Sequence, residues 1–537
     1  MHQRTLFTRT PYQGLDWDRF CGFLDTEQDE FSAIQDWMLA EQLQLLRNSP
    51  LSERLLPRAD IETVEEFREK VPLSTYEDYA DVLKPGADRL LPAAPYCWAY
   101  TTYGAGESKW IPYTRNGFEQ FLDSVMASLL IAAADEPGHV NVHAGDVVMY
   151  NVPPRPYLCG LAAPGMKEKF GLAGVLDPIV AEKLEFKDRI SAAFKEALKT
   201  RVDLIISMTS VLLKTGELLE GHASGAGAGR NRSDLNHRAL ARIARAKLKS
   251  ALKRQPIRPR DLWHPKGIVG WGLDTSCSRD KVAEYWGSQP YEIYASTEGG
   301  VMGVQPVDGR GILFNPRADF FELIPEADLD SLDQPSNSIP RTLLPSEAEP
   351  GGRYEVVITN FYGMPLVRYR TGSLIRFMPA EAVGTTHRTR FEVIGRSDQR
   401  IDIAGFTRID EKTVWEALRL ADTPFTDWAM TSERTEDGTI LHIYGEPCAN
   451  SDLAGISDRI HEALRRVDPL YRDLESMLDI RPLRSTVLPV GSFSRYYELK
   501  RAAGAPLTAR RPASMNADAS VIADLNSAAR EVEKLAA

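Results

Sequence analysis

The stretch YEIYASTEGGVMG, Tyr291 to Gly303, constrains this chain of 537 residues more than any other. Its aromatic and β-branched run from Tyr291 to Tyr294 predicts a short strand, and Ser296 to Gly300 the loop that leaves it. Loops at the carboxyl ends of strands are where open α/β sheets hold their ligands. Here Thr297 offers a hydroxyl and Glu298 a hard oxygen, which suits a Mg²⁺ ion carrying nucleotide phosphates. The following glycines allow close backbone approach. Alone, the segment is read more simply as a strand ending in a turn.

Two further segments, in chain order, point the same way. Upstream, TTYGAGESKWIPYT (Thr101 to Thr114) sets small, hydroxyl and glycine residues between apolar flanks. Such a loop can wrap phosphate oxygens with amides and hydroxyls, and Lys109 closes it with a point charge. Downstream come YEVVITNFYGMPLVRYRTGS (Tyr354 to Ser373) and FEVIGRSDQRIDIAGFTRI (Phe391 to Ile409). Tyr354 to Thr359 predicts a strand, Gly363 a break, and Leu366 to Tyr369 the start of another strand.

Together these blocks resemble adenylate-forming enzymes. The Lys-x-Ile-Pro-x-Thr extension, Lys109 to Thr114, is similar to the acyl acid–amido synthetase branch, related to plant enzymes that join hormone acids to amino acids. Arg-Tyr-Arg-Thr-Gly, Arg368 to Gly372, resembles phenylacetate–CoA ligases instead. The resemblance implies an α/β fold: a large N-terminal ATP- and acid-binding domain with mixed sheets, 1–394, whose helical lead runs to about residue 90. A small mobile α+β lid domain, 395–537, follows. It implies ATP and Mg²⁺ as cofactors. Thr101, Thr102, Gly104, Gly106, Ser108 and Lys109 would hold phosphates, and Glu298 the metal. Tyr294, Ser296, Thr297, Tyr369, Arg370 and Ser373 would bracket adenine and ribose. Arg396 would reach the nucleotide, with Asp398 the pivot of the lid.

Four positions depart from the family pattern. Tyr103 replaces a loop glycine, and Ser373 the ribose-binding aspartate. Asp402 replaces a lysine common after the pivot. Arg511, or its neighbour Arg510, stands where the C-terminal lysine is expected, and Lys500 is a second candidate for that charge. Three functions follow as expectations: joining a small carboxylic acid to an amine or amino acid through an acyl-adenylate, joining it to CoA or a carrier protein, or binding acid, nucleotide or a protein partner without turnover.

Composition is compatible with all three. At 59.9 kDa the chain exceeds one ordinary core. Its net charge of −11 argues against a nucleic-acid partner. The longest apolar run, Val125 to Ala134 with one serine, is too short to span a bilayer. The N-terminal residues have no secretory apolar core, and five scattered cysteines suit a reducing cytoplasm without disulfides.

Local patterns add detail. Ser74 and Glu77 have capping-box spacing. Arg238 to Arg260, with Leu240, Ile243, Leu248 and Leu252 near helical spacing, predicts a basic amphipathic surface helix. The glycine-rich 221–234 reads as a surface loop, and 326–352 as an exposed loop. Alternating strands (Val147 to Val152, Leu204 to Ser207, Gly267 to Trp271) and helices predict a large parallel component. In the last domain a helix Glu411 to Leu420, a strand Thr439 to Tyr444 and a helix Ile456 to Val467 are expected.

Overall fold

The computed structural model describes residues 15–536 apart from 58–60, 104–106, 178–179, 182, 185, 225–235, 273–274, 333–339, 380–387, 404–406, 436–437, 449–450, 473–481 and 506–513. Gly104, Gly106, Arg510, Arg511 and most of the glycine-rich loop lie outside the described residues, as do the side chains of Thr102, Tyr103 and Ser108. Contacts divide the chain into two units. The first runs up to Thr101 and takes in Lys109–Thr371 and Arg376–Glu392; the second holds Thr102–Ser108, Gly372–Ile375 and the chain from Val393.

Strands are numbered in chain order. After the two-stranded sheet β1 (Cys97–Tyr103) and β2 (Glu107–Tyr113) come β3 (Val147–Asn151), β4 (Ala173–Gly174), β5 (Leu204–Met208), β6 (Gly267–Trp271), β7 (Pro290–Ser296), β8 (Gly300–Val304) and β9 (Leu313–Phe314). The last seven form one sheet in the order β4-β3-β5-β6-β7-β8-β9. From β4 to β7 neighbours are parallel; β8 and β9 turn antiparallel. Four of five residues are buried in both β5 and β6, as expected for strands covered on two faces.

The apolar run Val125 to Ala134 lies in the helix Arg115–Ala133, whose Thr114 cap accepts a bond from the Gly117 amide. This helix is almost wholly buried, and β6 starts in backbone contact with its end. A Cβ on Gly267 would lie 2.5 Å from the Ala132 carbonyl, so only glycine fits there. Among the described residues no helix is long and apolar enough to cross a membrane. The four-stranded sheet that follows has the order β10 (Asp319–Pro325), β11 (Arg353–Asn360), β12 (Tyr369–Phe377), β13 (Phe391–Arg396).

In the second unit β14 (Ile401–Ile403) pairs with β15 (Thr407–Ile409). The hairpin β16 (Phe425–Thr435) and β17 (Gly438–Pro447) takes β18 (Leu483–Val487) as a parallel neighbour. Alternation along β16 builds two cores. Trp428 and Met430 pack with Val414, Ile460 and Leu464 of the helices Glu411–Leu420 and Ile456–Val467. Ala429 faces Phe493, Tyr496, Leu525 and Ala528 of the helices Ser492–Ala502 and Ala519–Ala536.

Three local expectations need correction. The capping box is one residue later: the Thr75 amide donates to Asp78 Oδ2 at 2.7 Å. Ser74 is buried, and its hydroxyl donates to the Val367 carbonyl at 2.6 Å. A tertiary acceptor has outcompeted the local cap. The 326–352 segment is not simply exposed, because Thr342 and Leu329 are buried and Leu343 bridges to Leu323. The basic helix forms, His237–Lys253, but buries Ala239 and Ala246, leaving Leu240, Leu248 and Leu252 exposed. None of the five cysteines is in a disulfide: Cys21 is buried, Cys97, Cys159 and Cys277 are half-buried, and Cys448 is exposed.

Candidate functional site

Strand alternation places Lys109, Ile111 and Tyr113 on one buried face of β2. Two of these side chains serve the loop after β7. Tyr113 Oη donates to the Thr297 carbonyl at 2.8 Å. Lys109 Nζ lies 3.9 Å from Glu298 Oε1 and donates to Tyr369 Oη at 2.9 Å. At 3.9 Å the Lys109–Glu298 pair is electrostatic and not a hydrogen bond. The Lys109 side chain is only 6% exposed, and its ammonium sits 4.8 Å from the centre of the Tyr76 ring. A cation held against aromatic faces is stabilised by the ring quadrupole while it stays desolvated.

Tyr76 comes from the helical lead, whose Ser74 forms a parallel bridge to Tyr369. The Ser74 amide donates to the Arg368 carbonyl, and the Arg370 amide to that of Ser74, both at 2.9 Å. Sequence reading missed Tyr76. Its signal was an aromatic residue at the mouth of a capped turn, and nothing local distinguishes that from packing.

The Glu298 turn is tightly framed. The Gly299 amide donates to Ser296 Oγ at 3.1 Å. The Gly299 backbone approaches protein rather than open space: a Cβ there would meet Met302 Sδ at 2.6 Å and Asp319 Oδ2 at 2.8 Å. Gly300 has φ +68, the left-handed region that favours glycine. Among the described residues neither Glu298 carboxylate oxygen accepts a hydrogen bond, and its side chain is 16% exposed. A carboxylate paired only electrostatically with Lys109 among the described residues fits Mg²⁺, which takes one or two carboxylates and fills its shell with phosphate oxygens and water. The described residues contain no cluster of three acidic, histidine or cysteine ligands, so an all-protein cage is not what they offer.

Arginines of the following block have protein partners. Arg368 is fully buried and meets Glu322, also fully buried, through Nε and Nη2. It also donates to the Thr342 hydroxyl and to the Arg68 and Val71 carbonyls. Arg370 makes a bidentate pair with buried Glu355, at 3.0 and 2.9 Å. Both are built into the sheet.

Within the second unit, Arg396 and Asp398 form a bidentate pair at 2.9 and 3.2 Å. The Arg396 guanidinium covers Gly372, next to Ser373: a Cβ on Gly372, whose φ is +70, would meet Nη2 at 2.7 Å. Asp402 pairs with Arg408 at 3.6 Å. Lys500 donates to Asp524 at 2.8 Å, a bond that raises its pKa, and lies over the Tyr496 ring. Thr101 lies in β1, and Tyr294 is buried in β7. The first unit thus gathers Lys109, Ser296, Thr297, Glu298 and Tyr369, while Arg370 turns to Glu355.

Two family models match this chain, the GH3 family N-terminal domain over residues 22–150 and the GH3 family central domain over 312–384. Over those two stretches the chain is similar to GH3 family domains. It stands in the adenylate-forming superfamily, near the GH3 branch. Lys109 falls in the GH3 N-terminal match and Tyr369, Arg370 and Ser373 in the GH3 central match, with Glu298 between them. The solved structure of GH3.15 acyl acid amido synthetase superposes with a TM-score of 0.66 over 94% of both chains, at 16% identity. AtGH3.15 in complex with 2,4-DB gives 0.65, 17% and again 94% of each chain. A 2-hydroxyisobutyryl-CoA ligase in the postadenylation state, in complex with R3-HIB-AMP, gives 0.61 at 13% identity, covering 95% of this chain and 94% of that one. No curated protein matches the sequence.

Proposed function

We propose that this protein is an ATP-dependent ligase that activates a small carboxylic acid as its acyl-adenylate and transfers the acyl group to an amine or amino acid. The observation that carries the reading is the meeting of Lys109, Tyr369 and Glu298 at the loop after β7. A carboxylate is a poor electrophile because oxide and hydroxide leave badly. Attack of its oxygen on the α-phosphorus of ATP expels pyrophosphate and leaves AMP as the better leaving group. The protein's share is positioning and charge neutralisation. Lys109, preheld by Tyr76 and Tyr369, offers its charge to phosphate oxygens. Glu298 would hold Mg²⁺, which neutralises phosphate charge when bound. In the second step the amine attacks the acyl carbon and AMP leaves. The names of the GH3.15 structures support an amine acceptor, and GH3 domain matches favour the same side.

An acid–thiol ligase is the second reading, favoured by Arg368 to Gly372 and by the likeness to the CoA ligase fold. Pyrophosphate release over a panel of aryl, indolyl and aliphatic acids, with amino acids, amines or CoA, separates the two. Release with at least one acid, and an amide product with an amine, is expected. Millimolar MgATP should also raise the melting temperature, since a ligand of the native state adds RT ln(1 + [L]/Kd) to stability. No shift and no release would favour a binding protein without turnover.

A further inference from the structure

A buried carboxyl that the ligase chemistry does not use lies behind the Glu298 turn. Asp319, the first residue of β10, is 1% exposed. Its Oδ1 accepts a bond from Asn360 Nδ2 at 2.7 Å, while Oδ2 is buried with no hydrogen-bond partner among the described residues. Oδ2 is the atom that a Cβ on Gly299 would approach to 2.8 Å. Burial pushes this carboxyl well above the usual carboxylate range, so a neutral amide is its closest mimic.

Asn360, the last residue of β11, connects three pieces of chain. Its Nδ2 also donates to the Glu298 carbonyl at 3.0 Å. Its Oδ1 accepts the Leu366 amide at 3.2 Å, and its own amide donates to the Leu366 carbonyl at 2.9 Å. Both protons of the amide group are therefore spent, one on Asp319 and one on the main chain of Glu298. Asp319 is anchored in turn, since its carbonyl accepts Gln35 Nε2 at 2.8 Å from the helix Gln28–Arg47.

We propose that Asn360 and Asp319 are a positioning pair: the Asp319 carboxyl orients the Asn360 amide, which clamps the main chain of Glu298 and fixes where its carboxylate stands relative to Lys109. The kinetic consequence rests on the ligase reading above; the geometric one does not. Neither side chain touches substrate in this scheme, so both act through Glu298.

The test uses the full chain and two measurements. In hydrogen–deuterium exchange without ligand, amides of 297–301 should exchange about tenfold faster in Asn360→Ala and in Asp319→Leu, where the clamp's bonds are lost. They should stay within about twofold of wild type in Asp319→Asn, which keeps an acceptor for Asn360. In pyrophosphate release, Asn360→Ala should need about tenfold more Mg²⁺ for half-maximal rate, with a smaller change at saturating Mg²⁺. A merely structural loss would lower the active fraction without moving the Mg²⁺ requirement. Wild-type exchange in Asn360→Ala or Asp319→Leu overturns the proposal, and so does an Asp319→Asn protein as impaired as Asn360→Ala. If Asn360→Ala does not fold, Asp319→Leu set against Asp319→Asn still decides: faster exchange in the first alone supports the pair, and equal exchange in the two overturns it. If wild type releases no pyrophosphate, the ligase reading fails while the exchange result continues to judge the pair.

Discussion

Glu298→Gln lowers the rate of pyrophosphate release by at least about tenfold, equivalent to about 1.4 kcal/mol of transition-state stabilisation. The amide keeps the side chain's shape and removes the anionic oxygens, which among the described residues accept no hydrogen bond. Its one ionic neighbour among the described residues, the Lys109 ammonium, stands beyond hydrogen-bond reach. Loss of charge also removes the electrostatic partner of Lys109 at 3.9 Å. Lys109→Ala is expected to cost at least as much, because the cation proposed to meet phosphate oxygens and its packing against Tyr76 disappear together. Single-turnover pyrophosphate assays at saturating acid and MgATP measure both. Thermal melts of each variant separate lost chemistry from lost fold. Two folded variants at wild-type rates would place the chemistry elsewhere.

The second large effect is on stability. Arg368 and Glu322 are both fully buried, and the pair is tied to Thr342 and two main-chain carbonyls. Removing one member strands an uncompensated charge. Arg368→Met or Glu322→Leu should each destabilise the protein by about 3–5 kcal/mol. The double variant should cost much less than the sum, because two apolar side chains need no partner. Urea titration of the single and double variants measures this as a coupling energy. Additive losses would mean that the guanidinium matters for its bonds to the Arg68 and Val71 carbonyls and not for the carboxylate. Arg370–Glu355 is a weaker counterpart, since the arginine side chain is 22% exposed and water screens it.

These two arginines show what a linear sequence does and does not reveal. Both stand in one short run of charge, yet nothing in that run says that Arg368 folds back under the lead segment while Arg370 reaches Glu355, fifteen residues earlier on the neighbouring strand β11. Pairing partners are set by sheet order, which periodicity does not encode. Strands and helices were easier. Gly267–Trp271, Glu411–Leu420 and Ile456–Val467 are predicted with the bounds observed, because glycine, caps and apolar spacing mark their ends. β16 escaped notice: Phe425–Thr435 mixes Asp, Thr, Ser and Glu with its few apolar residues, and only the two layers it separates explain the pattern. Within the candidate site, Lys109 and Glu298 stand out by residue type beside glycines, Lys109 in strand β2 and Glu298 in the turn after β7. Asn360 and Asp319 do not, since an amide at a strand end and an acid at a strand start read as ordinary turn residues.

The five cysteines carry a practical consequence. Thiolate is the reactive form, so attack by an electrophile follows ionisation and access. Burial pushes the Cys97 and Cys159 thiols up to about 12, and raises Cys21 further. Near neutral pH all three are kept as unreactive thiols, and Cys277 is half-shielded. Cys448, just past the end of β17, is the exposed one. A short pulse of maleimide dye should therefore mark the native chain mainly once, in its second unit, with no engineered cysteine and no change to the residues argued to do chemistry. Tryptic mass spectrometry of the adduct would identify the labelled peptide, and unfolding before the pulse should bring the other four into reach.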